Sequence, residues 1–252
     1  MNNISLTLVC GLSIFFCSQL SAASRIELVE KYIQAFSPGA SEQMQLDALN
    51  ELQWSGISDT RVYDLVERNL LDKYPSASSK KNLDLVSWYA KSLGTSGLDK
   101  YRATLQQVID AGTNKKVTKY AREGLDNLSK YAVWNPIISD RKNARLDKPH
   151  VVNGYANMLR SENWEMMNIA AKRIMAESVF DDYLLQVLDE TLRGLYRESY
   201  SGKNQILTLA WMTRALAASG NPDYKTVVEE VADNAGTKKV RRYASKYLRK
   251  YY

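Results

Sequence analysis

Apolar residues recur along this chain at the three-and-four spacing of an α-helix, and no stretch alternates with period two for long enough to form a strand. Leu65, Val66, Asn69 and Leu70 make one such stripe; Val227, Val228, Val231 and Ala232 make another. The pattern predicts twelve helical segments. Six run near 25–36, 41–54, 59–73, 80–93, 98–111 and 114–131, and six near 149–160, 162–177, 180–198, 203–218, 222–234 and 237–251. Pro75, Gly97, Gly112, Gly202, Gly220 and Gly236 fall between segments, where chain breakers belong. Pro222 stands at a first-turn position with Asn221 before it as an N-cap.

The segments repeat. Residues 88–125 align without a gap on residues 211–248 at a constant offset of 123. Thirteen of the 38 positions are identical, Trp88, Gly97, Tyr101, Asp110, Lys115, Lys116 and Tyr120 among them. Unrelated chains of average composition would share about two. The offset reaches back to Val29 and Tyr32, which fall on Val152 and Tyr155, and it slips by one residue where Asp59 meets Asp181. The chain is therefore read as a tandem duplication with an irregular connector over 132–148. Short helices joined by short turns pack in antiparallel pairs, so the expected fold is all-α: an α-solenoid superhelix of about six helix pairs, three in each half. The halves, 24–131 and 149–252, are expected to stack as one continuous domain, because a terminal repeat left alone would expose an apolar flank.

The last two segments carry a resemblance. Tyr224 to Asp233, followed by Gly236 to Leu248, resembles a HEAT repeat: an Asp closes the first helix, Val240-Arg241 opens the second, and Ala244 and Leu248 keep an Ala-x-x-x-Leu spacing. Tyr101 to Leu125 is similar, with Thr118 in place of the Arg. The resemblance implies that Asp110 and Asp233 bond between the helices of their repeats, and that the solenoid surface serves protein partners.

Residues 1–23 contain no Lys, Arg, Asp or Glu, are apolar over Ile4 to Phe16, and end in Ser21-Ala22-Ala23. That layout predicts a secretory signal peptide, cleaved before Ser24. The expected location is the periplasm, with external secretion or an uncleaved N-terminal anchor as alternatives; no transmembrane span is expected in the exported chain. Cys10 and Cys17 both lie in the leader, so a cleaved chain is cysteine-free. With His150 its sole histidine, the exported chain cannot build a Cys- or multi-His-ligated metal site or a thiol nucleophile. No P-loop, nucleophile elbow or dinucleotide fingerprint is present. The expectation is accordingly a protein that is not an enzyme, with no catalytic residue, metal or cofactor.

Charge is distributed unevenly. Lys238, Lys239, Arg241, Arg242, Lys246, Arg249 and Lys250 are seven bases on the last segment with no acid among them, which leaves the rest of the +6 chain at −1. Lys115 and Lys116 stand at the positions equivalent to Lys238 and Lys239. Both pairs fall in a first helical turn, where the macrodipole disfavours cations by about 0.3–1 kcal/mol. These nine residues are the candidate binding set. Val240, Tyr243, Ala244, Tyr247, Leu248 and Tyr251 form the apolar stripe of that segment, and Tyr243, Tyr247 and Tyr251 are expected to pack as a seam. Trp88 and Trp211 are expected in the core; Trp54 and Trp134, near segment ends, are expected to be partly exposed. Three functions are weighed: a scaffold of the cell envelope that binds a protein partner, a polyanion or membrane-surface binder acting through the basic helix, and a HEAT-like enzyme. Nucleic acid is disfavoured because export separates the chain from it.

Overall fold

A computed structural model describes residues 25–252, which are helical with no strand among them. The signal segment expected over 1–23 lies outside the described residues. The helices are α1 (25–36), α2 (Glu42–Leu52), α3 (Thr60–Lys73), α4 (Lys80–Gly94), α5 (Arg102–Ala111), α6 (Lys115–Ile138), α7 (His150–Leu159), α8 (Trp164–Glu177), α9 (Asp182–Leu195), α10 (Lys203–Ala218), α11 (Lys225–Asn234) and α12 (Lys238–Tyr251). Apart from the end of α6, their limits fall within four residues of the expected ones.

The duplication is visible in the local chemistry. Asp59 and Asp181 both stand at N-caps, accepting from the amides of Arg61 and of Tyr183 and Leu184. Short 3₁₀ turns, Asp99–Tyr101 and Pro222–Tyr224, lead into α5 and α11 at the offset of 123. Tyr74 meets Gln107 between α3 and α5, and the equivalent Tyr196 donates to Glu230 between α9 and α11.

The chain divides into two compact units. The first comprises the residues up to Pro136 together with Ala144–His150, and the second Ile137–Asn143 and Val151–Tyr252. In each unit consecutive helices pack as pairs, and the second helices of successive pairs also touch: α2 on α4 in the first unit, α8 on α10 and α10 on α12 in the second. This is the packing of an α-solenoid-like helical repeat. The first unit has its own core, in which Tyr32, Phe36, Leu49, Val66, Tyr89 and Leu105 are buried. The second buries Leu184, Leu188, Met212, Leu216, Val228 and Val231.

The connector differs from expectation. Residues 132–138 continue α6, even though Pro136 removes one of its hydrogen bonds. Tertiary contacts override the breaker: Trp134, Asn135 and Ile138 are buried, and the Asn135 amide donates to the carbonyls of Thr95 and Ser96 at 2.9 and 3.1 Å. The irregular segment starts only after Ile138.

Candidate interaction surface on the last helix

Helix α12 is held from its first residue. Gly236 donates to the Tyr196 carbonyl at 3.0 Å, and a Cβ on Gly236 would lie 2.4 Å from the Arg197 carbonyl, so the turn admits no larger residue. Thr237, at the N-cap, spends its hydroxyl on Tyr200 rather than on the first turn of α12, leaving that turn without a side-chain cap. Val240 and Ala244 are buried, facing the α10 and α11 helices that α12 packs against.

Tyr243, Tyr247 and Tyr251 do not form the expected seam. All three are only half-buried, and Tyr243 and Tyr247 stack with centroids 6.3 Å apart. Trp88 and Trp211 are likewise half-buried, and Trp88 packs against the margin of the first core rather than within it. Each lies under a cation at the equivalent position, Lys91 at 5.4 Å and Arg214 at 4.9 Å from the ring centroid. Their neighbours Tyr89 and Met212 take the inward places instead, one residue further round each helix. Trp54 is half-buried as expected, but Trp134 is buried, because α6 continues past it.

The nine candidate cations separate into three groups. Lys238, Lys239, Arg242, Lys246 and Arg249 are exposed and, with Tyr243 and Ser245, line an open groove of about 620 Å³ along the outer face of α12. Lys250 is exposed over the Tyr251 ring at 4.9 Å. Arg241 is different: its guanidinium donates to the Ala235 carbonyl at the end of α11, so it closes the helix pair from within. Lys115 and Lys116 belong to the first unit, where Lys116 pairs with Asp84.

The contrast between Lys116 and its counterpart Lys239 extends to the whole face. In the first unit Glu123 stands 3.7 Å from Lys91 and 3.8 Å from Lys119, and Lys116 pairs with Asp84. At the offset of 123 the cations persist as Arg214, Arg242 and Lys239, but Glu123 becomes Lys246, Asp126 becomes Arg249 and Asp84 becomes Leu207. Among the described residues none of the exposed α12 cations forms an ion pair. The sequence alone carries this signal. It lies in acids of α4 and α6 that lack a counterpart, and Arg214, outside the basic run, goes unnoticed without it.

Other expected contacts fall elsewhere. Neither Asp110 nor Asp233 bonds between helices: Asp110 accepts from Gln106 one turn away, and Asp233 is exposed. The interhelical bond of that repeat comes instead from Arg241 to backbone. His150 donates from Nε2 to the Ser55 carbonyl at 2.6 Å, and burial holds its pKa below the usual histidine value. That role is structural. No group of three or more His, Cys, Asp or Glu side chains converges as a metal site among the described residues, and no described helix is long and apolar enough to cross a membrane.

No protein-family model matches the chain, and no curated protein matches it. Among solved structures it is similar to human deoxyhypusine hydroxylase in complex with glycerol. That similarity has 12% identity and a TM-score of 0.35, covering 92% of this chain and 98% of that one. The match corrects one expectation. The neighbour is an enzyme, so the reading that this chain is not one is withdrawn, although a likeness this distant assigns it no reaction.

Proposed function

We propose that the protein is an exported, HEAT-like binding protein of the cell envelope that presents its helical-repeat surface to a protein partner. The observation that carries this reading is the outer face of α12. Five exposed cations line one groove there, none of them ion-paired among the described residues. A face that served only solubility would mix its charges. Here Lys238–Arg242, Arg242–Lys246 and Lys246–Lys250 are like-charge neighbours at i, i+4, each costing about 0.2–0.5 kcal/mol. The half-exposed Tyr243 and Tyr247 beside them, with Arg242 and Arg249, are the residue types that dominate protein–protein contacts. A membrane surface is a poorer fit. Of the large apolar side chains exposed among the described residues, only Tyr252 adjoins α12.

The test is affinity capture from envelope extract at low and high salt, beside the variant K238Q/K239Q/R242Q/R249Q. Arg241 is left intact because it holds α11. The reading expects one defined protein, retained by the native chain and lost by the variant. Capture of assorted lipid or nucleic acid, or a protein retained equally by the variant, overturns it.

A further inference from the structure

The two units amount to an internal experiment on one surface. Both keep the tryptophan, the tyrosine and the cations: Trp88, Lys91, Lys116, Lys119 and Tyr120 in the first, Trp211, Arg214, Lys239, Arg242 and Tyr243 in the second. Only the first keeps the acids. Its cations are answered by Asp84 from α4 and Glu123 from α6. The second holds Leu207 and Lys246 at those places, and Arg249 where the first has Asp126. The register of the helix and its buried positions are kept while the charge changes. Helix α12 starts at the position equivalent to the start of α6, and Val117 and Ala121 are buried as Val240 and Ala244 are. What the second unit lacks, compared with the first, is carboxylates at defined positions beside cations that have kept theirs.

We infer that this face of the second unit, Arg214, Lys239, Arg242 and Lys246 with Arg249, is a binding site for an acidic peptide segment, whose carboxylates pair with these cations as Asp84 and Glu123 pair with Lys116, Lys91 and Lys119 in the first unit. The inference rests on the binding reading above and names the chemistry of the partner. The first unit shows that carboxylates suit this cation arrangement, since its own sit 3.7 and 3.8 Å from Lys91 and Lys119. The groove runs from Lys238 to Arg249, eleven residues of helix and so about 16 Å at 1.5 Å per residue, which an extended segment of about five residues would span. Tyr243 and Tyr247 offer stacked rings along the same helix. A chain of carboxylates on a peptide backbone can use both features, whereas a phosphate polymer would use only the charges.

The probe is fluorescent hexaglutamate, titrated into the purified protein at low salt, with polyphosphate of equal charge in parallel. Three variants decide the outcome. K239Q/R242Q/K246Q is expected to weaken hexaglutamate binding about ten-fold or more, through loss of charge-assisted contacts. K80Q/R141Q/K142Q removes the same net charge from exposed residues elsewhere and is expected to leave it unchanged. D84L/E123K/D126R, which gives the first unit the residues that the second already accommodates, is expected to raise the stoichiometry from one site to two. Helicity and urea midpoint are read for each, so that a loss of binding is separated from a loss of fold. Equal weakening by the first two variants, or polyphosphate binding without hexaglutamate binding, overturns the inference. Envelope capture that depends on α12 but is not competed by hexaglutamate overturns it too, while leaving the binding reading intact.

Discussion

At the residue scale, Arg241 shows why a basic run cannot be read as one feature. Its neighbours Arg242 and Lys239 point outward, but Arg241 is turned to the Ala235 carbonyl, the acceptor left open where α11 ends. Replacement by Met, which keeps the apolar stem, should therefore cost about 1 kcal/mol in urea unfolding and leave hexaglutamate affinity unchanged. A variant of full stability with weakened binding would return Arg241 to the exposed set. His150 gives a second test. Its folded pKa is lowered by burial, so folding favours the neutral ring that donates to Ser55. The stability this contributes is fully present above the unfolded value of about 6.5 and is lost as pH falls below it. His150→Gln cannot titrate, so its urea midpoint should fall less between pH 7.5 and pH 5 than that of the native protein. Parallel declines would show that the ring is not the titrating group.

At the scale of the element, nearly all of the helices were legible, because period, caps and breakers agreed over segments of 10 to 16 residues. The exception, the last two turns of α6, was set by burial of Trp134 and Asn135, which no local signal announces. Side-chain facing was less legible. Spacing at i, i+4, i+8 puts Tyr243, Tyr247 and Tyr251 in a line, yet cannot say whether that line meets the core or its margin. The spacing between α4 and α6 is another such case. A Cβ on Gly94 would sit 2.0 Å from the Gly124 carbonyl, and one on Gly124 would sit 2.5 Å from that of Ala90. These helices touch backbone to backbone, a closeness that Ala217 and Tyr247 at the equivalent positions deny to α10 and α12. Gly94→Ala should thus cost about 1–3 kcal/mol by forcing α4 from α6, although alanine is the better helix former. Gly194, with nothing within 4 Å of its added Cβ, is the control: Gly194→Ala should be neutral or stabilising in the same urea titration.

At the scale of the whole molecule, duplication settles what must stay and what is free to change. Burial keeps Val117 and Val240, Ala121 and Ala244 identical, while the exposed acids of one copy are lost in the other. The candidate site lies among the positions released from packing, which is why its cations could be read from composition and its missing carboxylates only from the alignment of the halves. The same division predicts how the chain unfolds. Among the described residues, the buried cluster of the first core runs from Val29 to Leu128. Val240, by contrast, is fully buried where α12 closes the second unit. Val240→Asp places a charge there, at a cost of about 3 kcal/mol or more. In a repeat architecture such a loss is felt by the repeats that contact the changed one. Tryptophan fluorescence can locate it, since Trp88 and Trp134 report on the first unit and Trp164 and Trp211 on the second. With single-tryptophan variants, Val240→Asp should lower the urea midpoint seen by Trp211 and leave that seen by Trp88 in place. If both probes shift together, the two cores unfold as one cooperative structure and the independence of the first unit fails.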